Sequence, residues 1–461
     1  MKLIDALVIM MMTALGVFVD RSIIYLLFIY LCLRKLKKGI LIDDKNLMMI
    51  AIYSIIVPDN YLPAVCFLLL FCMIIYKKGG ALNKQRLPGL CLLLWGGCAT
   101  VSTIINDVPI INMVFSVVTF APLIAFFVVI SNIDKFGLII DNEQFDEILY
   151  IELQATIFNY IFFYGTSTDA WSCGTFNDKG GEQAQLLVLM GLFFFVYFDR
   201  YRRTLKKKVL LKCMICLLIM CSTFSWTLTL VFVFCFTYWL FCGNLRNADS
   251  ISKYNKWVIL AIMLTFIVGM IQFMPDFIRD SIIKILTDSS FLEYRFYKAL
   301  LYKITFIDIP MDDNVFLLFG NGLGYYCSRA ALICSGQYVD FYNNYFIPSI
   351  SQYTDEYLMN YLAKAHAMGS SDYGSVLARP YSSVLTIMGE TGMLGIIFFL
   401  CWYATVVKKW NASNRVFLMF WLGVCFFENY FEYPKVLLCL LISCIATSRF
   451  KDRYIGVNND E

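Results

Sequence analysis

Long apolar runs alternate with short polar clusters along the whole chain. The runs lie at about 3–19, 22–33, 46–57, 61–76, 88–105, 109–131, 147–165, 184–198, 209–224, 226–242, 257–274, 381–406, 415–427 and 434–448. A helix needs roughly 20 apolar residues to cross a bilayer, and most of these runs approach that length. The runs 46–57 and 415–427 are short and read as half-helices or tilted pairs. The pattern therefore predicts an all-α polytopic membrane protein with about 12–14 transmembrane helices. Lys2 precedes the first run, but no small-residue cleavage site follows it. That run reads as a retained first helix and not as a removed signal peptide.

The polar clusters give the runs a direction. Arg34, Lys35, Lys37 and Lys38 follow the second run, and Lys77, Lys78, Lys84 and Arg86 follow the fourth. Arg200, Arg202, Arg203 and Lys206 to Lys208 follow the eighth, and Arg246, Lys253 and Lys256 precede the eleventh. Lys408, Lys409 and Arg415 follow the twelfth, and Arg449, Lys451 and Arg453 close the chain. If every run crosses, all these clusters share one side. The positive-inside rule then places them, with both termini, in the cytoplasm.

Composition agrees with the pattern. Of the 461 residues, 60% are hydrophobic and 16% are charged, against roughly 25% charged in a soluble domain. A soluble enzyme, a disordered chain and a nucleic-acid binder are thereby excluded. The net charge of +4 names no partner. Most of the 17 cysteines sit inside apolar runs and act as small apolar residues, and His366 is the only histidine, which argues against a structural zinc site. Cys327 and Cys334 fall in a polar segment. They could pair if it faces an oxidising compartment, and the sequence leaves that open.

Two segments fall on the outer face in this reading. Residues 166–183 form a short outer loop within an N-terminal transmembrane part, 1–274. Residues 275–380 form a large extracytoplasmic loop, and 381–461 hold the C-terminal spans and a cytoplasmic tail. The large loop is rich in tyrosine and phenylalanine, too aromatic for disorder, with helix-like amphipathic stretches at about 277–307 and 353–366.

Three segments on that face carry candidate chemistry. Gly174-Thr175-Phe176-Asn177 precedes a helix near Ala184. Its polar groups could bond a sugar or phosphate, and a capped glycine-rich turn uses the same residue types. Arg295 lies in a predicted helix, followed by Phe319-Gly320-Asn321-Gly322-Leu323-Gly324. The arginine offers a bidentate fork for phosphate, and the glycines permit close backbone approach. A snorkelling arginine and a tight turn would look the same. The third segment runs from Arg379 through Pro380, Tyr381, Ser382 and Ser383 to Glu390, Gly392 and Gly395. Arg379 falls at a helix mouth, where backbone amides favour an anion, and is equally suited to anchoring at the interface. Glu390 is an ionisable residue at membrane depth, either functional or holding a helix contact.

In order, spacing and side, these segments resemble the O-antigen polymerase and O-antigen ligase superfamily. Its members are polytopic glycosyltransferases of the GT-C type. They carry a G-x-F-x-N-like segment, an arginine helix with an F-G-x-G-x-G turn in a large outer loop, and an H-N-S-x-L-x-x-x-x-E-x-G-x-x-G signature opening a helix. The resemblance covers about 150–400. It departs at Tyr381, often a histidine in members, at Ser382, often an asparagine, and at Trp171, often an arginine. A mechanism resting on that histidine does not carry over.

The resemblance implies polymerisation of undecaprenyl-diphosphate-linked oligosaccharide repeat units into an O-antigen, capsule or exopolysaccharide. The reaction would run at the outer face of the bacterial cytoplasmic membrane. It implies a lipid bilayer setting, a flippase and a chain-length regulator as partners, and no cofactor. Arg295 and Arg379, then Arg329, are the candidates to stabilise the departing diphosphate, with Tyr381 assisting. Glu390, Asp372 and His366 are candidates to take the acceptor proton. Asn177, Gly320, Gly322, Gly324, Ser382 and, again, Arg329 and Asp372 are candidates for substrate binding. No acidic cluster suits a metal, so transfer is expected to be metal-independent. The rival readings are a ligase moving finished polymer to an acceptor, a lipid-linked oligosaccharide transporter, and a non-catalytic envelope scaffold.

Overall fold

A computed structural model describes residues 3–36, 44–82, 86–131, 142–163, 173–176, 182–223, 225–242, 257, 259–261, 263–264, 297–336, 340–360, 382–409 and 412–448. Among them every regular element is helical and none is a strand. The N-terminal helices are α1 (Leu3–Phe18), α2 (Ile23–Lys35), α3 (Asp44–Tyr53), α4 (Tyr61–Leu82) and α5 (Arg86–Ile105). They continue with α6 (Ile110–Ser131), α7 (Asn142–Phe163), α8 (Glu182–Thr204), α9 (Lys207–Ser222) and α10 (Trp226–Cys242). The loop region holds α11 (Tyr297–Lys303), α12 (Asn314–Phe319), α13 (Arg329–Cys334), α14 (Asp340–Tyr345) and α15 (Gln352–Thr354). The chain closes with α16 (Ser383–Lys409), α17 (Ala412–Cys425) and α18 (Pro434–Ser448).

Among the described residues four helices are long and apolar enough to cross a membrane: the apolar parts of α5, α6, α8 and α16. The stretches 46–57 and 415–427 are indeed short, as helices at Asn46–Ile56 and Arg415–Cys425. Of the predicted loop helices, the first is seen from Tyr297. It runs on through a π-helical turn, Ile304–Asp308, to Asp312. The second is seen as Gln352–Met359. The remainder of both stretches lies outside the described residues.

Burial separates inner from outer helices. In α8, 94% of the apolar window is buried, against 33% in α5. A helix apolar on all sides belongs at the centre. The rings of Phe194, Phe195 and Phe198 interleave with Phe232, Phe236 and Trp239 of α10, and Phe195 also meets Phe417 and Phe420 of α17. By contrast α6 turns Ile110, Val114, Val117 and Val118 outward.

The helix ends sort into two polar groups. At one end Arg34 of α2 meets Glu147 of α7 at 2.6 Å, Lys35 meets Glu143 at 2.8 Å, and Lys212 of α9 meets Asp146 at 2.5 Å. Arg203 binds Asp199 one turn earlier at 2.7 Å. This end carries the basic clusters after α2 and α8. At the opposite end lie the α1–α2, α5–α6 and α17–α18 connections, the start of α16 and the loop helices. Cys327 and Cys334 are both buried there and are not bonded to each other.

Candidate functional site

Three observations build the opposite end. The first is the glycine turn. Asp313 caps α12 by accepting from the amides of Val315 and Phe316, and Gly320 ends it with φ 73° and ψ −161°. Gly392 breaks α16 with nearly the same backbone, φ 67° and ψ −169°. That region is open essentially to glycine alone. The two breaks face each other. A Cβ on Gly320 would stand 2.7 Å from the backbone of Gly389, Glu390 and Thr391, and one on Gly392 would press on Leu318 and Phe319. The Asn321 amide donates to the Gly389 carbonyl at 2.7 Å. The apolar run suggests one unbroken helix at 381–406. It is kinked because the turn wedges its backbone into it.

The same turn is sewn to the α5–α6 connection. Asn106 donates to the Gly320 carbonyl at 3.0 Å, the Leu323 amide to Thr103 at 3.2 Å, and Asn112 to the Gly324 carbonyl at 2.8 Å. Gly322 packs on Val108 and Gly324 on the Asn112 carbonyl. Gly320, Gly322 and Gly324 are buried, so here their conformational freedom serves helix contact.

The second observation is the line Asn112, Ser116 and Thr119 on one face of α6. Ser116 lies 3.5 Å from Glu390 Oε2, and the Ser102 hydroxyl donates to the Glu390 carbonyl at 3.0 Å. The Ser328 hydroxyl and the Gly324 amide face the same carboxyl, and its Oε1 has no hydrogen-bond partner among the described residues. Glu390 is 1% exposed. It is buried where α6, α16 and the glycine turn join.

The third is the α17–α18 connection, Phe426 to Lys435. Glu432 accepts from the Arg329 amide at 2.8 Å and from Asn429. Burial pushes its carboxyl up from the ordinary range, while the Arg329 amide, Thr119, the Arg329 charge and Asn429 pull it back. The Arg329 guanidinium stands over the Tyr433 ring at 5.6 Å. Ser383 donates to the Glu428 carbonyl at 3.2 Å and accepts from the Phe431 amide at 3.1 Å. Ser382 caps α16 through the Leu385 amide and bonds the Tyr302 hydroxyl of α11 at 2.7 Å. Tyr302 also donates to the Phe426 carbonyl at 2.7 Å, and Lys298 pairs with Glu428 at 3.5 Å. Burial pushes the Tyr302 hydroxyl up, so it stays a donor.

The described part of the Gly174–Phe176 segment joins the same connection from the other side. Lys435 is 1% exposed, lies 3.9 Å from the Phe176 ring centre and donates to the Val57 carbonyl at 2.7 Å. Thr175 donates its amide and hydroxyl to Glu152 at 3.0 and 2.6 Å. Arg21 and Asn159 both hold the Gly174 carbonyl at 2.6 Å.

Of the residues singled out from the sequence, Gly320, Gly322, Gly324, Arg329, Ser382 and Glu390 come together here. Asn177, Arg295, His366, Asp372, Arg379 and Tyr381 lie outside the described residues. Sequence reading missed the Glu428–Lys435 connection, although its two glutamates and a lysine between apolar runs are a visible signal. It also missed Arg21, Glu152 and the polar face of α6. No protein-family model, curated protein or solved structure matches this chain.

Proposed function

We propose that this protein is a glycosyltransferase of the GT-C type that polymerises undecaprenyl-diphosphate-linked oligosaccharide repeat units. It would act in the bacterial cytoplasmic membrane, with both termini and the basic end in the cytoplasm and the site on the outer face. A flippase would supply its substrate and a chain-length regulator would act beside it. One observation carries the reading. Phe176 of the G-x-F segment, Arg329 just past the F-G-x-G-x-G turn and Ser383 just ahead of Glu390 all contact the Phe426–Lys435 connection, and the glycine turn packs on the E-x-G-x-x-G backbone, at the end opposite the basic clusters.

In the proposed step an acceptor sugar hydroxyl attacks the anomeric carbon of the donor glycan. The carbon–oxygen bond to the lipid diphosphate breaks, and the acceptor proton passes to a base. Arg295 and Arg379, with Arg329 and Tyr381, would stabilise the charge on the departing diphosphate. Since Glu390 is enclosed by helices, His366 and Asp372 are the stronger base candidates. Asn177 would meet the sugar.

Purified protein in vesicles, given lipid-linked repeat units, is expected to build a ladder of lengthening glycans, and to do so after thorough chelation. Failure of ladder formation with intact substrate would refute the proposal, and a strict divalent-metal requirement would refute its metal-independent chemistry.

A further inference from the structure

The loop region contains a segment whose exposure makes no sense in water. Ile347 is 88% exposed and Tyr345 76%, and Phe346 between them is 37% exposed. They sit at the tip of a small helical lobe, where the chain leaves α14 and turns back. The Ser349 amide fastens the return by donating to the Cys334 carbonyl of α13 at 2.8 Å.

The lobe lies along α6. Phe115 of α6 holds the Tyr342 ring at 5.7 Å and the Phe346 ring at 6.0 Å between centroids. Tyr342 and Phe346 also pack on each other at 5.1 Å. These contacts fix the depth of the tip. α6 has 22 residues, about 33 Å of helix, which matches the roughly 30 Å hydrocarbon layer. Phe115 lies five residues inside its first residue, about 7 Å along the axis. The Phe346 ring therefore lies beside the first two turns of α6, with Tyr345 and Ile347 as its chain neighbours. There the surface of α6 beside Phe115 is Val118 and Val114, both exposed and apolar. The exposed surface of the tip continues the lipid-facing stripe of a spanning helix.

We infer that Tyr345, Phe346 and Ile347 are seated in the bilayer leaflet at the start of α6, as a re-entrant foot of the loop region. Tyrosine suits such a place, because its ring enters the apolar layer while its hydroxyl reaches the headgroups. Irregular backbone at that depth is tolerated because the lobe rests on protein on its α6 side. The foot would hold the lobe that begins at Arg329 flat against the membrane. This inference stands on the lobe's geometry alone and survives any outcome for the proposed reaction.

The test places a photoreactive benzophenone side chain at position 347, and separately at 345, in the full-length protein. Each variant is reconstituted in phosphatidylethanolamine–phosphatidylglycerol vesicles and irradiated. Val118 serves as the lipid-facing control and the exposed Glu356 as the water-facing one. Lipid adducts at 345 and 347 should match Val118 and exceed Glu356 by about tenfold or more. Adducts at Val118 with none at 345 or 347 would overturn the inference. So would adducts at 347 that join two protein chains, since another molecule would then cover the tip. Both positions are exposed, and agreement between them guards against a local defect in one variant.

Discussion

Gly320→Ala is expected to destabilise the folded protein by about 2–5 kcal/mol, the range of a strained backbone combined with an overpacked contact. Two independent effects act in the same direction. Alanine does not adopt φ 73° with ψ −161° without strain. Its methyl group would also stand 2.7 Å from three backbone atoms of the α16 kink, which no rotamer change relieves. Gly392→Ala should behave alike, because it meets the same contact from the other side. Gly96→Ala is the control. A Cβ there meets nothing within 4 Å, and alanine favours helix by about 1 kcal/mol over glycine. Thermal unfolding in detergent, followed by the monodisperse fraction, separates the cases. Equal midpoints for Gly320→Ala and Gly96→Ala would mean that the turn is not wedged into α16.

Arg295→Lys is expected to lower the rate of glycan transfer by about 10²-fold, the typical cost of losing an oriented donor to developing negative charge. Charge is conserved in this change, so only the planar bidentate fork is lost. Arg295 precedes Lys298 by three residues and Tyr302 by seven. Those two side chains of α11 reach the Phe426–Glu428 segment and Ser382; Arg295 itself lies outside the described residues. The rate should fall with little change in folded yield, since Arg295 is assigned no packing role. Full activity in Arg295→Lys would remove the diphosphate clamp from the mechanism.

Much of the bundle was legible because apolar runs translate directly into helices. The runs at 88–105 and 109–131 became α5 and α6 with ends moved by two residues or fewer. The break in α16 was not legible. Glycines at 389, 392 and 395 read equally as a close-packed membrane helix, and only the facing Gly320 shows why Gly392 leaves the helical region. The glycine spacing marks a turn but does not say whether its amides face a ligand or a neighbouring helix. Its partners, Asn106, Asn112 and Thr103, are more than 200 positions away. The polar face of α6 was hidden by its apolar surroundings. Asn112, Ser116 and Thr119 are a weak signal in a hydropathy window, yet they share one helical face. The sequence marks Glu390 as an ionisable group at membrane depth, and its interior contacts are visible only from the positions of Ser102, Ser116 and Ser328.

The reading as a repeat-unit polymerase stands or falls on what a cell accumulates without this protein. Deleting its gene and extracting the lipid-linked glycans should yield carrier lipid bearing single repeat units, with polymer lost from the surface. Restoring the wild-type chain should restore the ladder, and the Arg295→Lys chain should restore it poorly. Full-length polymer accumulating unattached on its carrier would contradict the account and assign the protein to ligation instead.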